Sequence, residues 1–299
     1  MKKYALITAM LSAFIIATNS SAFTISITGD DATVGDKPES KTCGMFGENA
    51  FTSDSGNTRY TDEKAYSGGR GLKLTIEEGR KGFGSLGGII DFPTCDSFGG
   101  RVLKKGDEVW VRVHLFFPSG FEFNRNGRNK FLRLRTFNSS GNSEGYNDLY
   151  LDAMVDTTTY DYIFEGVQSW YAMGDRDDLF PLGQWRTVEY YLKLDDRTVD
   201  EGGDARVRVW IDGQLIGDTG ARANLLTPDS YIESLYFFTY WDNAGAHVTQ
   251  SFYADDLIIT SDTPDNVDSN GFPFIGIGSY SGSGNSDPAR PLPPELKVD

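Results

Sequence analysis

What this 299-residue chain has little of bounds it before any motif does. It holds two cysteines, Cys43 and Cys95, and two histidines, His114 and His247, all far apart, so a Cys/His zinc site has no material. Basic residues are scarce: 28 Lys and Arg stand against 43 Asp and Glu, a formal charge of -15. Phosphate binding needs a basic surface, which argues against nucleic acid as a partner, and an anionic membrane surface is disfavoured for the same reason. No stretch of twelve residues keeps an apolar i, i+3, i+4, i+7 stripe, so helices are nearly excluded. Past the first two dozen residues no run is apolar enough to read as a membrane-spanning helix.

The chain opens with MKKYALITAMLSAFIIATNSSAF. Lys2 and Lys3 form a positive start, Tyr4 to Ala17 an apolar core and Ser20-Ser21-Ala22 a small-residue cleavage site. Residues 1–22 therefore read as a secretory signal peptide, with an exported (periplasmic or extracellular) mature chain starting near Phe23. In an oxidising compartment Cys43 and Cys95 are expected to pair, closing a loop worth about 4 kcal/mol.

From about residue 39 to 262 the sequence reads as strands separated by Gly, Asp and Asn turns. In EVWVRVHLFF (108–117) Val109, Val111, Val113 and Leu115 face one way; Trp110, Arg112, His114 and Phe116 face the other. NKFLRLRTF (129–137) sends Phe131, Arg133, Arg135 and Phe137 to one face and Leu132 and Leu134 to the other. DLYLDAMVD (148–156), RTVEYYLKL (186–194) and ARVRVWI (205–211) alternate in the same way. Half-buried, turn-punctuated strands at this spacing predict an all-β domain over 39–262, a two-sheet antiparallel β-sandwich of jelly-roll size. Residues 23–38 are a short polar lead-in. Residues 263–299, rich in Gly, Ser and Pro, read as a tail whose Phe272, Phe274 and Ile275 are able to dock back. A monomer is expected.

The outward faces carry an unusual set. A sheet facing only water usually shows Lys, Glu, Thr and Ser; here Trp110, Arg112, His114, Arg133, Arg135 and Tyr150 take those places. Aromatic rings stack on sugar faces and guanidinium forks grip carboxylate or sulfate, so the set suits an acidic polysaccharide. The bland alternative is a cross-strand ladder covered by a loop. Arg206, Arg208 and Trp210 repeat the pattern and read as a solvated face of the other sheet.

His114 would neighbour the Arg133/Arg135 strand if successive strands pair, and a nearby cation would keep it a neutral base; a hydrogen-bonded structural histidine is the alternative. His247, in the loop WDNAGAHVTQ, lines a cleft rim or is simply exposed. Tyr150, Tyr171 and Tyr240 are candidate proton donors, and Lys130 a base, a substrate clamp or a surface lysine. Asp255 and Asp256 precede the last strand; one of them, Asp256, could hold a structural Ca²⁺ with Glu48.

The series SGGRGLKLTI, GDEVWVRVHLFFPSGF, NKFLRLRT, GQWRTVEYYLKL, VRVWIDGQLIGD and SFYADDLIIT resembles the concanavalin A-like jelly roll, and within it the secreted polysaccharide lyases of the alginate, glucuronan and heparin lyase type. The likeness spans about residues 40–262. The E-x-D-x-E strand of related glycosidases has no match, nor do the R-x-E-x-x-L-R and Q-I-H strands of one alginate lyase family. YFFTYWDNAGAHVTQ is only loosely similar to that family's Y-F-K-x-G-x-Y-x-Q strand and lacks its lysine, and Lys130 is placed like the lysine of another family's G-G-K-L-P-G-L strand without its glycines.

The resemblance implies β-elimination: cations neutralise a uronate carboxylate, a base removes the C5 proton and an acid protonates the leaving oxygen. Arg133, Arg135 and Arg112 would take the first role, His114 or Lys130 the second, and Tyr150 or Tyr240 the third. Trp110, Trp170, Tyr171 and Trp241 would line subsites. No organic cofactor is required. The rival expectations are a non-catalytic, lectin-like carbohydrate-binding domain and a structural surface protein.

Overall fold

The computed structural model describes residues 22–38, 57–93, 101–123, 126–152 and 157–280, with Tyr240 described through its backbone alone. Cys43, Glu48, Cys95, most of the expected leader and the last nineteen residues lie outside the described residues.

Fifteen described strands form two antiparallel sheets, as the alternation predicted. The back sheet contains β1 (Thr24–Ile27), β2 (Thr58–Thr61), β3 (Gly71–Ile76), β6 (Glu108–Phe116), β11 (Trp185–Lys193), β12 (Arg206–Ile211), β13 (Gln214–Asp218) and β15 (Gln250–Thr260). Its order is β13-β12-β11-β6-β15-β3-β2, with β1 also on β15. The front sheet contains β4 (Gly88–Asp91), β5 (Leu103–Lys104), β7 (Gly127–Phe137), β8 (Ser143–Leu151), β9 (Thr159–Phe164), β10 (Ser169–Asp175) and β14 (Tyr231–Asn243). Its order is β10-β9-β8-β7-β14-β4, with β5 also on β14. The protein is thus a two-sheet antiparallel jelly roll.

The alternating apolar residues meet between the sheets. Val109, Val111, Val113 and Leu115 of β6 and Val188, Tyr190 and Leu192 of β11 pack with Leu132 and Leu134 of β7 and Leu149 and Leu151 of β8 in one core. Each such aliphatic side chain contributes about 1.5–3 kcal/mol by leaving water.

Strict alternation fails at one place in the front sheet. Lys130 pairs with Tyr150 and Arg133 with Asp148, so three steps along β7 oppose two along β8. This bulge turns both Phe131 and Leu132 into the core and brings Lys130 onto the face of Arg133. Phe131 therefore does not frame the arginines; it stacks on Phe238 with ring centroids 4.5 Å apart. A matching bulge in β14 carries Phe238 at φ 46°, a conformation that costs of order 1–3 kcal/mol outside glycine. Gly87 permits β4 to approach it: a Cβ there would lie 1.9 Å from the Phe237 carbonyl oxygen.

β6 pairs with β11 and β15, not with β7, which corrects the placement of its polar face. Trp110, Arg112 and His114 lie on the outer side of the back sheet, and all three are buried. Residues 262–280 run across that side as a strap. Ile275, Phe272 and Phe274 pack on Trp110, Tyr191 and Trp210. The Trp110 indole donates to Pro273 O (3.1 Å), the Trp210 indole to Asp268 Oδ2 (2.8 Å) and Arg112 to the carbonyls of Gly276 (3.0 Å) and Gly278. Glu189, the register partner of Arg112, accepts the backbone N–H groups of Ile275 and Gly276. Trp110 and Arg112 are consequently anchors for the strap and not a substrate surface. The same holds for Arg208 and Trp210, whose face is covered and not solvated; the Arg208 guanidinium lies 3.7 Å from the Phe272 ring centroid.

His114 stacks on Tyr66 (3.6 Å between centroids) and its Nδ1 meets Thr187 Oγ1 at 2.9 Å. Burial, aided by Arg112, pushes its pKa down to about 2. It is a sealed structural histidine on the far sheet, which removes it from the candidates for a base.

Two outcomes follow. Glu189→Ala orphans the buried N–H groups of Ile275 and Gly276, so denaturant unfolding should show a loss of about 1–3 kcal/mol for each of the two donors. His114 stays neutral in the folded chain while the unfolded chain protonates it below about pH 6.5, so this residue withdraws stability as pH falls. Measured from pH 6.5 to 4.5, His114→Phe should gain on wild type with a slope that steepens toward about 1.4 kcal/mol per pH unit; a constant difference would contradict the buried neutral imidazole.

Candidate active site

The front face gathers the remaining polar candidates. Lys130 is flanked in register by a tyrosine on each side, Tyr150 in β8 and Tyr240 in β14. Arg133 lies between Asp148 in β8 and Tyr236 in β14, and Arg135 opposite Tyr146. Leu132 and Leu134 anchor the strand to the core from behind.

Arg133 is 2% exposed and forms the floor of this cluster, not an outward clamp. Its Nε donates to Asp148 Oδ2 (3.1 Å) and its Nη1 to Thr239 Oγ1 (3.3 Å), while the Tyr146 ring covers the guanidinium at 3.8 Å. Glu165, just past β9, reaches back over it: Glu165 Oε1 accepts the Tyr150 hydroxyl and lies 3.5 Å from Lys130 Nζ and 3.7 Å from Arg133 Nη2. Asp242 Oδ2 is 3.8 Å from Lys130 Nζ and 3.5 Å from Arg128 Nη2. Arg128 and Lys130 both lie over the Tyr150 ring, at 5.4 and 5.5 Å from its centroid. Arg135 donates to Tyr236 Oη (2.8 Å) and is partly exposed.

Burial dominates the electrostatics. It pushes the Asp148 carboxyl up to about 7 despite Arg133 alongside. At Glu165 burial acts upward too, but the Tyr150 hydroxyl, Lys130 and Arg133 together hold the carboxyl below its usual range. Desolvation raises Tyr150 far above an ordinary phenol, and its ring is 1% exposed, so it stays protonated and committed to Glu165.

The other expected residues fall apart in space. Trp170 of β10 is half-buried against Tyr150 (5.9 Å) and joins the cluster. Tyr171 packs on the core and donates to Asp218 O, linking the sheets. Trp241 is wholly buried in the core and offers no subsite. His247 meets Glu122 at 2.8 Å, near the surface. Asp256 accepts the Ser67 hydroxyl (2.6 Å) beside Asp255, whose carboxylate holds the Tyr66 and Ser67 N–H groups; both serve the 62–69 loop of the back sheet. Among the described residues, three acids close enough to share a cation are Asp195, Asp196 and Asp204, and the Lys193 ammonium already sits 2.7 Å from Asp204.

Arg128, Asp148, Glu165, Asp242, Tyr146 and Tyr236 were not singled out from sequence. Asp148 was within reach, because period two puts it on the face of Tyr150. Glu165 was not, since it reads as an ordinary turn acid in FEGVQ.

No family model and no curated protein sequence matches this chain. Among solved structures, that of the alginate lyase Aly36B superposes with a TM-score of 0.52 at 17% identity, covering 79% of this chain and 96% of that one. A double mutant of Aly36B in complex with an alginate tetrasaccharide gives 0.51 at 18% identity, covering 79% and 96%. Another, in complex with an alginate trisaccharide, gives 0.51 at 17%, covering 79% and 97%. At such identity the likeness is one of fold: the chain shares its jelly roll with these structures.

Proposed function

We propose that the protein is an exported lyase that cleaves a uronate-containing polysaccharide by β-elimination and acts as a monomer. One observation carries the reading: Lys130 stands between two tyrosine positions on the one sheet face that also holds Arg128, Arg133, Arg135 and Trp170. The fold shared with an alginate lyase seen with alginate oligosaccharides supports it.

The partly exposed Arg128 and Arg135 hold the uronate carboxylate, and the buried Arg133 adds positive potential from below, which acidifies the C5 proton and stabilises the enolate. Lys130, neutral when it acts, accepts that proton. Tyr240 protonates the leaving oxygen, because Tyr150 is already bound to Glu165. Trp170 stacks on a neighbouring sugar. Elimination needs no organic cofactor, and a Ca²⁺ at Asp256 would be structural, on the opposite sheet. The second reading, a lectin-like binding face, is favoured by the acidic partners that Lys130 and Arg133 already have, which binding tolerates and a base must shed.

Purified protein incubated with alginate, glucuronan, pectate, hyaluronan or heparin should raise the ultraviolet absorbance of a conjugated C=C–carboxylate on at least one polymer. Lys130→Ala and Tyr240→Phe should each lower that rate by about 10²-fold or more, with His114→Phe unchanged. Retarded migration in a polysaccharide gel with no absorbance rise on any polymer would establish the binding reading instead.

A further inference from the structure

The front-face cluster holds an acid pair that the elimination chemistry does not itself require. Asp148 and Glu165 bracket one guanidinium, at Arg133 Nε and Nη2. The two carboxyls meet the same guanidinium at 3.1 and 3.7 Å, which places them side by side, and each perturbs the other's ionisation. Asp148 is wholly buried, and no donor among the described residues reaches its Oδ1. Two carboxylates in such contact do not both ionise while one can keep a proton between them.

We propose that Asp148 and Glu165 act as a single acid, a carboxyl–carboxylate pair sharing one proton across neutral pH, and that this proton sets the charge felt by Lys130. The Lys130 part rests on the reading of the front face given above; the pair itself does not. The proton sits on Asp148 Oδ1 and is donated to the Glu165 carboxylate. When it leaves, it passes to solvent by way of Glu165, whose side chain is 23% exposed where that of Asp148 is sealed. The pair then carries two negative charges beside the Lys130 ammonium, 3.5 Å from Glu165.

The surrounding groups fit this assignment. From β7 come Arg128, Lys130 and Arg133, from β8 the Tyr146 and Tyr150 phenols, and from β14 the Thr239 hydroxyl and Asp242. From the core side come the phenols of Tyr162 and Tyr190, which burial keeps neutral. Asp148 is sealed while Glu165 is partly exposed and holds the Tyr150 hydroxyl and Lys130, so the charge settles on Glu165 and the proton on Asp148. Glu165 is thus a positioning residue: it fixes the Tyr150 hydroxyl and the Lys130 ammonium and keeps the shared proton between them.

Two readouts independent of turnover test this. Infrared spectra in D₂O at about pH 6 should contain a protonated-carboxyl band that is missing from both Asp148→Asn and Glu165→Gln. Difference spectra are needed because Glu189 and Asp255 are also raised to about 7 by burial. A band unchanged in both variants overturns the pair, whatever the enzyme assay shows. Competitive acetylation, read at the Lys130 peptide by mass spectrometry at about pH 8.5, should run about tenfold faster in Asp148→Asn than in wild type, since the variant cannot become doubly charged. Equal rates overturn the link to Lys130. If Asp148→Asn fails to fold, Glu165→Gln, at a partly exposed position, carries the infrared measurement. The Lys130 link is then read in the wild type, where acetylation should depart from a simple pH profile at the pH at which the band is lost; an undisturbed profile overturns it. Loss of lyase activity in either variant is not needed for these results, so a failure here and a failure of the lyase reading are told apart.

Discussion

Two bulges facing each other across β7 and β14 decide what the front face is made of. With strict alternation from Arg133, Lys130 would point into the core, where an ammonium has no counterpart. The extra residue in β7 reverses the parity, so that Phe131 takes the inner place and Lys130 the outer one. The cost falls on Phe238, held at a positive φ, and its stack on Phe131 within the core offsets that strain. Arg133 keeps its outward direction but is covered by Tyr146, and the charges around it are fixed by the sheet and not by flexible loops.

The acidic balance of the whole chain said little about this region. The cluster brings four cations, Arg128, Lys130, Arg133 and Arg135, together with three acids, Asp148, Glu165 and Asp242. Buried arginines need counter-charges, since an unpaired one costs several kcal/mol. The Asp148–Glu165 pair, with its one negative charge, meets that need for Arg133, and Asp242 lies between Arg128 and Lys130. With one proton shared between Asp148 and Glu165, the cations outnumber the anions here, and this local sign is what separates the face from the acidic balance of the whole chain.

Much of the fold was legible in the sequence, because period-two patterns report which side of a strand meets the core. Val109 to Leu115 and Leu132 with Leu134 were read correctly on those grounds. Long-range pairing is another matter. Nothing in EVWVRVHLFF says that its neighbours are strands from far along the chain, so His114 was expected beside Arg133 although it lies in the other sheet. Nor does alternation reveal what covers an outer face; Trp110 looks like a sugar platform and Trp210 like part of a solvated face until residues 268–276 are seen on top of them. The bulge at Phe131 escapes for a related reason, since both possible parities place an aromatic or aliphatic residue inside.

The strap has a consequence for how the molecule could be linked to anything else. Phe23 N donates to Ser261 Oγ (3.0 Å) and Ser261 N to Phe23 O (2.9 Å), so the sandwich begins and ends at one spot on the back sheet. From there the chain crosses that sheet to Tyr280, which packs in the same aromatic cluster. The described chain therefore reaches Tyr280 on the side opposite Lys130 and Trp170. A bulky group fused near Tyr280 would lie on the opposite sheet from the front-face cluster and leave that face open.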